Sequence, residues 1–581
     1  MGAGFRLFLG VIKYSWHMLD TRSKKLLGTI TLAAVVAVTL VMAPYTLVDP
    51  INLPKLSTLA FFAILALSLA LGAIKTLFGP GYKTMLIVTA LFILQIGFVL
   101  LFSGANIGFQ LYGTYGRNTG AIAYLSLAFL MISASLVADK EFLKKFVRTT
   151  LVIGVLLVLY GNIQYLGLEP LPFVNAYTVN APIGTFGNPD FQSAFMGLIA
   201  VVAFTMALNS VFSNRLRFGL ALLGVVSLIV VYETIAKQGY FSFMAGAGVV
   251  LMLWLFMTGR RTLGKAVSVL GVLSGGLIFL GLVNVGPLAS YLYKASLEAR
   301  GYYWRAATKM LLDHPIFGVG MDGFGDWYRR SRAEDYLANN FLSVSNTAHN
   351  VYLDIASSGG FPLLASYCLL LALVVRSIVR VVRRTVGVDL YFLAIVGAWV
   401  AYQAQSFVSI NQLGLAIWGW VLSGLIIGYE INTRLSVSGE QKAPIKNRTV
   451  KSKNKGEAPL RSATVVSLFA GLLIASLVAL PPYISAASYF TALKSGDVKA
   501  IQNAAYLKPY EIVRFLQVAA TLRDNKYESQ ALGIIRDASK MYPDSYELWQ
   551  LWTSIPTATP GEIALAKTQM KRLDPFNTEL K

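Results

Sequence analysis

TMLIVTALFILQIGFVLLFS, Thr84–Ser103, runs for twenty residues without a charge. Coiled into a helix it is about 30 Å long, the thickness of a bilayer's hydrocarbon core. Working outward, twelve further runs of comparable character lie at about 27–47, 56–74, 119–138, 149–166, 191–209, 218–235, 240–257, 266–285, 361–379, 390–409, 412–429 and 463–481. The 581 residues are 56% hydrophobic and 13% charged, and the mean hydropathy is +0.60. These values exclude an ordinary soluble globule and predict an all-α, polytopic helical membrane protein of about 13 spans. The first run lies behind a polar-rich tail and ahead of further spans, so it reads as a span and not as a cleavable leader.

The formal charge of +22 suggests a nucleic-acid footprint until it is mapped along the chain. With the N-terminus in the cytoplasm and the spans alternating, the inward connectors hold Lys75, Lys83, Lys140, Lys144, Lys145, Arg148, Arg215, Arg217, Arg260, Arg261, Lys265, Arg376, Arg380, Arg383 and Arg384. The N-terminal tail and the segment Arg434–Arg461 add enough to place more than half of the 50 Lys and Arg inside. This positive-inside bias accounts for the basic excess without a nucleic-acid partner. It predicts a multi-pass plasma (inner) membrane protein with a cytoplasmic N-terminus and an extracytoplasmic C-terminus. The lone Cys368 falls in a span, which excludes an intramolecular disulfide and a cysteine metal cluster.

The predicted organisation is a membrane domain over 1–430 with a large extracytoplasmic loop at 285–360, a basic cytoplasmic linker at 431–461, a last span at 462–481 and an extracytoplasmic helical segment at 482–581. In that last segment Pro509, Pro543 and Pro575 recur 34 and 32 residues apart. Ala531, Ile535 and Ala538 precede the second proline, and Ala504 precedes the first, at positions where tetratricopeptide hairpins place packing residues. The period resembles such repeats, which would offer a surface to a protein partner or to the membrane domain.

The 285–360 loop is the longest polar interruption, and it holds His314 and His349, two of the three histidines. Arg300 and Trp304 stand at helical spacing in a helix predicted over 297–312, which His314-Pro315 ends. HPIFGVG follows at 314–320, and SNTAHNVYLDIASSGG at 345–360 returns the chain to the membrane. The order R-x-x-x-W, HPIFGVG, AHNVYLDIASSGG resembles the O-antigen ligase and O-antigen polymerase superfamily. Three upstream blocks resemble it more weakly: TYGRNTG at 114–120; PIGTFGNPDFQSAF at 182–195, with Asp190 where asparagine is usual; and TIAKQG at 234–239, with Ala236 and Lys237 where serine and arginine are usual.

That resemblance implies a glycosyltransferase whose donor is a polyprenyl-diphosphate-linked glycan and whose acceptor is a glycan, a lipid or a protein. Arginine suits a diphosphate because its planar fork binds phosphate oxygens in pairs and stays charged. Histidine suits proton removal from an acceptor hydroxyl because its unperturbed pKa is about 6.5. The expected catalytic residues are therefore His349 and Arg300. Arg117, Lys237, Arg305, Asn188 and Asn350 are expected to bind the diphosphate or glycan.

Each has a plainer reading: Arg117 as a headgroup anchor, Arg305 as a solvated helix residue, Asn188 as a turn former. His314, at a helix end before proline, reads as structural. No cofactor and no metal are expected, since no two histidines share a ligand spacing and only Asp322 and Asp326 lie near the glycine-rich turns. An O-linked protein oligosaccharyltransferase of the same superfamily and a lipid-linked glycan flippase remain as alternatives.

Overall fold

The computed structural model describes residues 21–79, 81–171, 181–293, 295–338, 344–385, 387–437 and 462–577. All its regular structure is helical among these residues. Every one of the thirteen apolar runs is a helix. In chain order they are α1 (Thr21–Leu40), α2 (Asn52–Leu77), α3 (Lys83–Phe102), α4 (Ala121–Val137), α5 (Lys140–Tyr165), α6 (Pro189–Ala207) and α7 (Asn214–Glu233). Then come α8 (Gln238–Met257), α9 (Arg261–Leu282), the loop helices α10 (Ala295–Asp313) and α11 (Phe324–Ser331), α12 (Val351–Arg384), α13 (Leu390–Ser406) and α14 (Leu413–Val437). Helix α15 (Ser462–Ser495) is the last of the thirteen.

Eleven of these helices are long and apolar enough to cross a membrane, while α4 and α13 have 17 residues each. The chain is a multi-pass membrane protein. Helices α4, α6, α13 and α14 form its centre, where Phe195, Trp418 and Tyr402 are among the largest fully buried side chains.

Several sequence expectations are corrected at their edges. Helix α14 continues to Val437, so the expected linker at 431–461 begins with helix, and its residues 438–461 lie outside the described residues, as do Arg6, Lys13 and His17. Helix α15 runs unbroken through Pro481 and Pro482, across the expected boundary at 481/482. Helix α12 begins at Val351, ahead of the expected span, and Gly360 (φ 72°, ψ −174°) kinks it where the Gly-Gly pair predicted a break.

The bundle has two chemically different ends. At one, Lys24 pairs with Asp139 at 2.8 Å, Asn432 Nδ2 donates to the Ala138 carbonyl at 2.9 Å, and Arg384 and Arg434 both reach Glu430. At the other end lie the connectors after α1, α3, α5, α7, α9 and α13. There Asn52 Nδ2 donates to the Gly116 carbonyl at 2.6 Å, Gln412 Nε2 to Asn52 Oδ1 at 3.3 Å, and Ser193 Oγ to the Ala236 carbonyl at 2.9 Å. Alternating helices bring these connectors together although their sequence positions span most of the chain.

Beyond α15 come α16 (Val498–Ala504) and two helical hairpins, α17 (Ile512–Asp524) with α18 (Glu528–Met541), and α19 (Tyr546–Thr553) with α20 (Pro560–Leu573). Ala504, Ala531, Ile535 and Ala538 are buried in their shared core. These hairpins pack on the 283–350 loop and on the connector after α3.

Candidate functional site

The loop folds onto the bundle by a close backbone seam. Val319 N donates to the Ser357 carbonyl at 2.8 Å, Gly320 N to Ser358 at 3.2 Å, and Phe361 N to Pro315 at 2.8 Å. A Cβ at Gly318 would lie 2.4 Å from Gly359 N, and one at Gly360 would lie 2.5 Å from the Pro315 carbonyl, so only glycine fits at either position. Gln95, the polar residue inside the uncharged run Thr84–Ser103, donates its side-chain amide to the Ile316 and Gly359 carbonyls and ties α3 to the same seam. HPIFGVG and SSGG are thus two halves of one joint.

That joint presents His349 just before α12. Its φ of 51° is left-handed, a conformation that a non-glycine residue holds only when its surroundings impose it. The surroundings are visible. Asp354 Oδ1 accepts from Ala348 N at 2.7 Å, Asp354 Oδ2 accepts from the Thr347 hydroxyl, and Thr347 Oγ1 accepts from His349 N at 3.2 Å. Asn350 caps α12 by accepting from Tyr352 N and Leu353 N. Three further non-glycine residues with positive φ, Asn118, Ile235 and Asp322, fall in the upstream blocks or the loop. With His349, four of the six non-glycine residues of positive φ among the described ones thus lie in the upstream blocks or the loop.

A cavity of about 390 Å3 opens beside His349. Its walls come from Asp49 and Asn52, from Arg117, from Asn188 and Asp190, from Asn346 and Thr347, and from Ser409, Asn411 and Gln412. This size and polar lining suit part of a glycan or a diphosphate.

Two arginines stand near it in different conditions. Arg117 is already engaged: Nη2 reaches Asp322 Oδ1 at 2.6 Å and Thr119 Oγ1 at 3.1 Å, and Nη1 donates to the Asn346 carbonyl. Asp322, 1% exposed, also accepts from Thr114 N and the Thr119 hydroxyl. Arg300 is different. Its nearest acid is Asp190, at 3.7 Å, beyond hydrogen-bond length, and among the described residues no hydrogen bond engages its guanidinium. Burial pulls its pKa below the ordinary arginine value, and the Asp190 carboxylate counters that pull.

His349 does not sit at an ordinary histidine pKa, as the sequence led one to expect. Burial, then the charges of Arg300 and Arg117, push it down to about 3. At neutral pH its ring is uncharged and able to accept a proton. An anion lodged against these cations would neutralise them and raise its basicity. Tyr303 lies against it, ring centroids 5.6 Å apart.

The other expected residues take other places. Asn188 lines the cavity, but its side chain caps α6 by accepting from Asp190 N at 2.8 Å. Asn350 is buried in its capping role. Arg305 faces away from the cavity, paired with Asp335 at 3.1 Å and lying over Tyr302, in a separate groove of about 660 Å3 shared with Trp304 and Lys309. Lys237 is exposed at the start of α8 and does not line the cavity. The structure thus brings together His349, Arg300, Arg117 and Asn188, and leaves Lys237 and Arg305 apart. His314 packs its ring edge on Trp327 at 4.5 Å.

Sequence reasoning missed Asp49, Asn52, Asp354, Asn411 and Gln412. It noticed Asp322 only as an unsuitable metal ligand. Among the described residues no group of three or more His, Cys, Asp or Glu is placed to hold a metal ion.

Residues 222–368 match the family model described as O-antigen ligase. The O-antigen ligase match starts within α7 and ends within α12, so it takes in the TIAKQG block, Arg300, the glycine seam and His349. It supports a membrane enzyme of the O-antigen ligase type. No curated protein matches the chain.

Proposed function

We propose that this protein transfers a glycan from a polyprenyl-diphosphate carrier to an acceptor hydroxyl in the His349 cavity, on the side of the membrane away from the cytoplasm. The observation that carries the reading is the pairing, in one buried polar site, of a neutral imidazole with an arginine whose donors are not engaged. In this reading Arg300 binds the diphosphate, and Arg117, held by Asp322, adds positive potential at the wall.

The bond between the anomeric carbon and the diphosphate oxygen breaks, and its electron pair leaves with the diphosphate. The acceptor oxygen forms the new bond to that carbon and passes its proton to His349. A single displacement of this kind inverts the anomeric centre. Binding of the diphosphate raises the basicity of His349, so the base is strongest when the donor is in place.

The orientation rests on the Lys and Arg concentrated in the connectors of the opposite end. A flippase would place ionisable groups along a path through the spans. Here the buried Lys55, Glu233, Asp354 and Glu430 all stand within about two turns of an end of their helices, which favours chemistry at a surface. The acceptor is a saccharide, a lipid or a protein hydroxyl.

The test is transfer from a synthetic polyprenyl-diphosphate glycan by the purified full chain in liposomes. H349A and R300A should each lose transfer while keeping helix content. Wild-type rates in either variant would remove that residue from its role.

A further inference from the structure

Helix α11 is fastened to the C-terminal hairpins by three arginines in close succession. Arg332 Nη2 meets both carboxylate oxygens of Asp574, at 2.6 and 2.7 Å, with the two side chains 3% and 1% exposed. Arg329 reaches Glu547 at 2.9 Å and lies over the Tyr546 ring, and Arg330 reaches Asp544 at 3.4 Å. On its inner face α11 buries Phe324 and Tyr328. Tyr328 packs edge-on against Tyr303 at 5.5 Å and against Tyr336 at 5.9 Å, and Tyr303 lies on His349.

A buried ion pair is weak evidence for stability, because desolvation offsets its attraction. It does fix position, since Arg332 without Asp574 would be a stranded buried charge, and Asp574 without Arg332 would keep only Arg329, at 3.8 Å. The aromatic chain from Tyr328 through Tyr303 to His349 is a contiguous packed path of the kind that transmits such a fixed position.

We propose that Asp574 is a positioning residue for His349: by holding Arg332 it seats α11, and through Tyr328 and Tyr303 it sets the imidazole against the cavity. The C-terminal hairpins are then part of the catalytic unit. This rests on the reading of His349 as the proton acceptor.

The experiment uses the full chain in liposomes and two readouts. The first is transfer from the polyprenyl-diphosphate glycan, resolved into kcat and KM. The second is the rate of His349 modification by diethyl pyrocarbonate, followed by peptide mass spectrometry, which needs no turnover. D574N should lower kcat tenfold or more, change donor KM less than threefold, and speed His349 modification severalfold. R332K, which keeps the charge but loses the paired contact, should shift both readouts in the same direction by less, and it serves if D574N does not fold. E562Q, within the hairpins but away from α11, should change neither.

Unchanged His349 reactivity in folded D574N or R332K would overturn the proposal, as would a kcat equal to wild type. If H349A proves fully active, the catalytic reading fails by itself. Faster His349 modification would then still show the linkage from Asp574.

Discussion

Arg117 lines the His349 cavity, Arg300 stands next to Asp190 of its wall, and the two differ in what already holds them. On the connector after α3, Arg117 meets the buried Asp322 carboxylate and the Asn346 carbonyl of the large loop and the Thr119 hydroxyl beside it. On α10, Arg300 meets only Asp190 of α6, at 3.7 Å. The same guanidinium is a fastener in the first setting and carries unengaged donors in the second. Motif resemblance marks both arginines and does not separate these roles; the hydrogen-bond inventory does.

The comparison can be broken most directly by removing each group in turn. R300A is expected to reduce transfer by about three orders of magnitude or more while leaving the thermal midpoint near wild type, judged by glycan assay and by melting in detergent. H349A should behave in the same way.

R117A and D322N should show the opposite balance. Breaking a buried pair by removing one partner costs about 3–5 kcal/mol, so the midpoint should fall sharply, and activity per folded molecule should survive better than in R300A. A stable R117A with no activity would place Arg117 among the binding groups and erase the distinction.

A subtler contrast is pH. The folded-state pKa of His349 lies at about 3, below its unfolded value of roughly 6.5. Between these values the unfolded chain binds the proton and the native chain does not. Stability from this group is therefore full above about pH 6.5 and falls as pH drops towards 3. H349Q should show a shallower acid loss in a melting series over that range. Parallel profiles would mean that the ring is not held neutral by its surroundings.

The smallest effect is expected at Lys237. K237A should alter stability by less than about 0.5 kcal/mol and activity by less than about twofold, because the side chain is exposed and outside the cavity.

The helices were legible in the sequence because twenty uncharged residues have few alternatives in a bilayer. Their ends were less so. Lys24 carries its charge to Asp139 and lets α1 begin before the apolar run, and α15 continues through Pro481-Pro482, past the end of its apolar run. The end of α10 at Asp313 and the kink at Gly360 were readable from local turn chemistry, and local motifs marked His349 and Arg300 as candidates. Asp322 was not, because its partner Arg117 is 205 positions away and nothing local announces the pair. The low basicity of His349 was hidden for the same reason: it arises from cations and apolar bulk that only folding assembles.

The glycine seam between 318–320 and 357–361 has a mechanical corollary. Two main chains in direct contact leave no slack between the loop and the first turns of α12, so in the proposed reaction the imidazole is mounted on a stationary anvil. Donor and acceptor must be brought to it in register, and any opening needed to admit them falls to the walls of the chamber, not to its floor.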